Sequence, residues 1–218
     1  MQVIKGVCFE PVGCLAEFPS DPFLEIAARL FGRKKKSSQS GSRSYWHLLN
    51  LMQAAEKNFD ASEKESAAAL EVQAVEAGSG YDDVAPALAE LKAMGVELFL
   101  TTSLSHAAVA RFLERYRLGE NFGAVWNRDN AGGVKTAPLA RALREASLKP
   151  EEIAYLTDTF EGIKVAKSLQ MPSILMMNDP DEAMRLAMRN PAGGIVSMHE
   201  LPDFIRLVAD ENRMRSVR

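Results

Sequence analysis

The sequence predicts an α/β fold, a doubly wound parallel sheet with a helical insertion, and three observations carry that expectation. Short apolar runs recur at 3–9, 96–100, 124–126, 153–156 and 173–177, in the manner of strands buried on both faces. The stretches 84–94, 106–116, 138–146 and 163–169 space their apolar residues by three and four, with Gly95, Gly119 or a proline near their ends. Alternation of this kind sets helices against both faces of a parallel sheet. The third observation is an interruption: from about 19 to 78 the pattern is wholly helical, with candidates at 23–31, 45–58 and 62–75.

The expected organisation is therefore a Rossmann-like core, residues 1–18 and 79–218, carrying a helical cap, residues 19–78. At 218 residues the chain can bury one large core, or a core with a smaller insert, without staples. A formal charge of −3 gives no bulk field for nucleic acid or an acidic surface. No run approaches the roughly 20 apolar residues of a membrane span. The segment 1–9 is too short for a signal sequence, so a cytoplasmic protein with no membrane association is expected. Cys8 and Cys14 are spaced wrongly for a redox pair and too few for structural zinc, in keeping with a reducing compartment. Within the cap, 32–44 is basic and serine-rich, with Arg33, Lys34, Lys35 and Lys36, and reads as a solvated loop or a contact for an anionic partner.

Ligands of a doubly wound sheet bind beyond the carboxyl ends of the strands, near the switch in strand order. The segments to inspect are 10–14, 101–103, 127–135 and 157–162. Three of the four carry groups suited to phosphate or a metal ion: Thr101, Thr102, Lys135 and Asp158.

Several anchored positions then agree over nearly forty residues. The segment KTAPLARALREASLKPEEIAYLTDTFEGIKVAKSLQM, 135–171, is similar to the third and fourth motifs of the phosphoglycolate phosphatase and β-phosphoglucomutase branch of the haloacid dehalogenase superfamily. Lys135, Pro138, Pro150, Glu151, Glu152, Asp158 and Gly162 fall in step with it. VELFLTTS, 96–103, resembles the second motif, with Thr101 in the hydroxyl position. The resemblance implies a phosphate grip of Thr101, Thr102 and Lys135, and a small phosphorylated molecule as ligand.

The first motif departs from the family. Where the family reads Asp-x-Asp-Gly-Thr-Leu, this chain reads Glu10, Pro11, Val12, Gly13, Cys14, Leu15. In the family the first Asp attacks phosphorus and the second acts as general acid and base. Glu10 stands at the nucleophile position, and Val12 cannot move a proton. General acid–base help is worth about 10² to 10⁴ in rate. Misplacing a reacting atom by about 1 Å costs about 10² more. At about 1.4 kcal/mol per tenfold, the barrier rises by roughly 5 to 8 kcal/mol. The resemblance also implies magnesium, held here by Glu10, the carbonyl of Val12 and Asp158, since hard oxygen donors suit that ion.

Three functions follow. One is a pseudo-enzyme that keeps the fold, and a magnesium and phosphate pocket with it, as a ligand sensor or protein partner. Another is an active phosphohydrolase or phosphomutase that uses Glu10, Thr101 and Lys135. The third is an interaction module that presents the cap, where Tyr45 and Trp46 offer aromatic contacts.

Overall fold

The computed structural model describes residues 3–33, 40–55 and 59–216. Lys34, Lys35 and Lys36 of the basic loop, and 56–58 at the end of the second expected cap helix, lie outside the described residues.

Six parallel strands form the main sheet: β1 (Gly6–Phe9), β4 (Glu97–Thr101), β5 (Ala124–Trp126), β6 (Ile153–Thr157), β7 (Ser173–Met176) and β8 (Gly193–Ile195). Their order is β5-β4-β1-β6-β7-β8. This is the Rossmann-like order of a doubly wound sheet, in which the chain builds outward from β1 to one side and then crosses to the other. The register aligns Phe9 with Leu100 on one flank and with Leu156 on the other. The carboxyl ends of β1, β4 and β6 therefore lie side by side at the switch point. Gly-Val-Cys-Phe of β1 is buried throughout, as a central strand covered on both faces requires.

Helices α4 (Val84–Ala93), α5 (His106–Tyr116), α7 (Thr136–Glu145), α8 (Phe160–Ser168), α9 (Pro180–Ala187) and α10 (Glu200–Ser216) connect and flank the strands. A single turn, α6 (Arg128–Ala131), lies in the segment 127–135 after β5. Its sequence follows a capping logic: the Asn127 side chain accepts from Asp129 N and Asn130 N, and Asn130 reaches back to Asn127 N.

The interruption in the strand rhythm is three helices, α1 (Asp21–Phe31), α2 (Gly41–Ala55) and α3 (Ala61–Ala77). They leave and rejoin the chain through a two-stranded antiparallel ribbon, β2 (Ala16–Glu17) and β3 (Ser79–Gly80). Asp60 starts α3 with a capping box, accepting from Glu63 N at 2.8 Å while Glu63 accepts from Asp60 N at 3.2 Å. Helix α2 begins against the chain that leaves β2. A Cβ at Gly41 would stand 1.8 Å from the carbonyl oxygen of Phe18, so only glycine permits this approach. One turn later the helix delivers Tyr45 and Trp46 inward, both buried. Phe18, Phe23, Tyr45, Trp46, Leu48 and Leu49 belong to the same apolar cluster as Val7, Phe9 and Leu100 of the sheet. The three helices and the sheet thus share one continuous core.

Candidate functional site

Glu10 follows β1 directly and is only 2% exposed. Thr102, the residue after β4, donates its hydroxyl proton to Glu10 Oε1 at 2.7 Å, and Val12 N approaches the same oxygen at 3.4 Å. The Thr102 hydroxyl has one proton, which Glu10 receives. The 3.0 Å contact between Tyr45 OH and Thr102 Oγ1 is therefore donated by the tyrosine. Tyr45 OH in turn accepts from Ser103 N at 2.8 Å. A directed chain results, from Ser103 N–H through Tyr45 and Thr102 to Glu10, and its second member, Tyr45, comes from α2. Burial, with the Asp158 charge adding to it, outweighs these donors and pushes the Glu10 carboxyl up to about 8.

The turn from β4 into α5 is saturated in the same way. Thr102 N donates to Trp126 O at 2.9 Å, and Leu104 N to Thr102 Oγ1 at 3.3 Å. Ser105 N donates to Glu71 Oε2 at 2.9 Å and His106 N to Asp129 Oδ2 at 2.7 Å. With Ser103 N, that makes five consecutive backbone N–H groups, each with an acceptor from this chain. Glu71, on α3, is fully buried, and its other oxygen takes Arg128 Nη1, which also donates to Ser103 O at 3.1 Å. A strand-to-helix turn with free N–H groups is an anion site. Here two of the acceptors that fill it, Tyr45 and Glu71, come from the inserted helices.

Thr101, Thr102 and Lys135, the residues expected to grip phosphate, each engage groups of this chain or turn inward. Thr101 is the last residue of β4, and its side chain turns into the core beside the Cys8 thiol, its hydroxyl buried and without a hydrogen bond of normal geometry. The hydroxyl that reaches the strand end is that of Thr102. Lys135 precedes α7 in a backbone conformation with φ 58°. Its ammonium donates to Asn50 Oδ1 and, at 3.0 Å, to Gln53 Oε1, both on α2. Burial lowers its pKa, and the charges that act on it are those of Glu161 and Lys164. Its backbone N donates to Ser103 Oγ at 2.6 Å, which fastens this segment to the turn after β4.

Asp158, the residue after β6, lies across the switch point. Asn178, after β7, donates to Gly13 O at 2.6 Å and approaches Asp158 Oδ2 at 3.4 Å. Gly13 has φ +79°, and a Cβ there would stand 2.1 Å from both Asp158 Oδ2 and Ser42 Oγ. The loop, the strand end and α2 therefore meet at that glycine. Val12 and Cys14 on either side are fully buried, and burial raises the Cys14 thiol above its ordinary range. A cavity of 240 Å³ opens beside Asp158, with Ser42, Arg43, Asn178 and Asp179 in its wall, and neither Glu10 nor Lys135 reaches it.

Among the described residues no group of three or more His, Cys, Asp or Glu side chains is placed to hold a metal ion. The donors at the switch point are two carboxylates, Glu10 and Asp158, close enough for one charge to raise the pKa of the other. Carboxylate oxygens of this kind are the hard donors that magnesium accepts.

Ser103, Glu71 and Arg128 were not foreseen from sequence, and Tyr45 and Trp46, expected as aromatic contacts of the cap face, are instead buried. Glu71 left a signal, since it sits among Ala67, Leu70, Ala74 and Val75 on the buried stripe of α3. A charge on that stripe requires a buried partner. Nothing in the sequence signalled the place of Tyr45 at the turn after β4, because an inward aromatic on a helix is ordinarily core.

A family model described as haloacid dehalogenase-like hydrolase matches residues 30–176. The matched span begins inside α1, beyond the departing segment 10–15. Among solved structures, a predicted phosphoglycolate phosphatase from Haemophilus somnus 129pt superposes with a TM-score of 0.67 at 18% identity, covering 94% of this chain and 99% of that one. A haloacid dehalogenase-like hydrolase, SP0104 of Streptococcus pneumoniae, gives 0.69 at 13%, again covering 94% and 99%. L-2-haloacid dehalogenase from Xanthobacter autotrophicus, with chloropropionic acid covalently bound, gives 0.65 at 16%, covering 93% and 98%. At these identities the likeness is one of fold. No curated protein sequence matches the chain.

Proposed function

The chain belongs to the haloacid dehalogenase-like hydrolase family, and on that premise we propose that it is a catalytically impaired member, a pseudo-enzyme that serves as a ligand sensor or protein partner. The observation that carries the proposal is the saturated turn after β4. Tyr45 OH holds Ser103 N, Glu71 holds Ser105 N, and Thr102 gives its proton to Glu10. A phosphate oxygen arriving there would have to displace the chain's own acceptors. Each displaced group, if left buried and unpaired, costs about 1 to 3 kcal/mol.

Two further features support the same reading. Val12 presents no proton-transferring group where the family's acid and base stands, and Lys135 spends its ammonium on α2. In our reading 19–78 is a cap held against a core of 1–18 and 79–218. The free, buried cysteines fit a cytoplasmic setting. No helix among the described residues is long and apolar enough to cross a membrane.

Turnover through Glu10, on a small phosphorylated substrate gripped by Thr101, Thr102 and Lys135, is the second reading. What favours it is the facing pair of carboxylates, Glu10 and Asp158, at adjoining strand ends. A magnesium ion held by these two and the Val12 carbonyl would supply charge neutralisation. Titration of the protein with inorganic phosphate, followed by amide NMR at 102–106, separates the readings. The proposal expects these five signals to stay in place up to millimolar phosphate. Saturable shifts confined to them would show that the turn is open to an anion and would remove the basis of the proposal.

A further inference from the structure

The largest of the cavities described lies away from the motif residues. It encloses 510 Å³ between the inserted helices and the turn after β5. Met52 of α2, Phe59, and Ala67 of α3 form one wall, and Gly132, Gly133 and Val134 form the other. None of Glu10, Thr101, Thr102, Lys135 or Asp158 lines it. Its volume falls in the range of small-molecule sites, about 300 to 1,000 Å³, whose walls are mainly apolar with a few placed polar groups.

The charges around it are unequal in their freedom. Arg128 is spent on the buried Glu71 and on Ser103 O. Asp129 accepts from His106 N and lies 3.8 Å from Arg128 Nε. Lys64, on the first turn of α3, lines the same cavity, and its ammonium has no ion pair or hydrogen-bond acceptor among the described residues. Among the described residues the lining thus offers one uncommitted positive charge at the edge of an apolar space. The wall opposite is smooth: a Cβ at Gly132 would meet nothing within 4 Å. Phe59 is fixed from behind by an edge-on contact with Phe31, centroids 5.8 Å apart. The apolar wall is therefore pre-formed and does not need to close on its guest.

We propose that this cavity binds a small amphipathic monocarboxylate, its hydrocarbon part between Met52, Phe59, Ala67 and Val134 and its carboxylate on Lys64. A single ammonium matches a single negative charge. A phosphate dianion would find no second free cation among the described lining residues and would lose more hydration than one lysine replaces. The inference goes beyond the reading of the motif residues and holds whether or not Glu10 supports turnover.

The test is calorimetric titration of the full chain with hexanoate, octanoate and decanoate, beside the alcohol of each chain length. Saturable one-to-one binding of at least one acid, at least tenfold tighter than its alcohol, is expected. Lys64→Gln should bring acid and alcohol level, and Lys64→Arg should restore the preference. Val134→Trp, which fills the cavity, should abolish binding of both while the melting curve reports that the fold is intact. If Val134→Trp does not fold, the Lys64 pair still decides. The proposal is overturned if no acid binds, if acid and alcohol bind alike, or if Lys64→Gln keeps the preference.

Discussion

Tyr45→Phe isolates one hydroxyl in the saturated turn. The ring stays in place against Phe23, with centroids 5.2 Å apart, and against Trp46 at 6.2 Å, so packing is preserved. What is lost is the acceptor of Ser103 N and the donor to Thr102 Oγ1. Thr102 keeps its bond to Glu10, so its own loss is small. Ser103 is 2% exposed, and its N–H is left buried without an acceptor, at a cost of about 1 to 3 kcal/mol. Taking about 2 kcal/mol, and about 2 to 4 °C per kcal/mol for a chain of this size, the melting temperature falls by about 4 to 8 °C. Thermal and urea unfolding, each followed by circular dichroism, measure it. Inorganic phosphate should recover part of the loss in Tyr45→Phe and none in the unmodified protein, because a ligand that binds only the native state raises its stability. Equal melting temperatures for the two proteins would refute the reasoning, since the hydroxyl would then not be what satisfies Ser103.

Other substitutions probe the remaining fastenings. Glu71→Ala leaves Arg128, at 12% side-chain exposure, with only the more distant Asp129 as a counter-charge and should cost about 3 to 5 kcal/mol in urea unfolding, with Glu71→Ala/Arg128→Ala costing less than the sum of its parts. Gly13→Ala forces a side chain into a left-handed backbone at φ +79° and against Asp158 and Ser42, so a loss of about 2 kcal/mol or more is expected in the same assay. Glu152 is held below the ordinary glutamate value by Lys5, with Lys149 N adding to it. A depressed folded pKa contributes stability above the unfolded value that disappears as pH falls through the folded one. Glu152→Gln should therefore lower stability at neutral and higher pH by a constant amount that vanishes in acid, which flattens the acid limb and leaves the slope above neutrality unchanged.

The fold was legible because its signals are local. β5 spans the predicted 124–126, and β4 and β6 each run one residue past their expected ends. β1 is shorter than the run 3–9, because pairing to β4 and β6 begins at Gly6. β8 was missed: Gly-Gly-Ile has almost no strand propensity of its own and is a strand because Ile174 and Leu175 of β7 offer an edge to pair with. The ribbon of β2 and β3 joins residues more than sixty positions apart through two short pairings, which no periodicity can reveal. The site was half legible. Position along the chain brought Glu10, the Thr101 and Thr102 pair, and Asp158 to adjoining strand ends, but pattern alone could not tell which threonine faces outward. That follows from the alternation of side chains, which turns Thr101 toward Cys8 and leaves Thr102 to meet Glu10. The acceptors from α2 and α3 are tertiary contacts over 34 to 58 residues, beyond any local rule.

The central claim, that the family's chemistry is disabled at Glu10 and Val12 and its anion site filled from within, is tested most directly by turnover. Purified protein with magnesium and a panel of small phosphate monoesters would be followed for phosphate release, beside Glu10→Ala. The account predicts that neither protein releases phosphate above the uncatalysed background on any member of the panel. Release by the unmodified protein that disappears in Glu10→Ala would contradict it and would make Glu10 a working nucleophile or metal ligand.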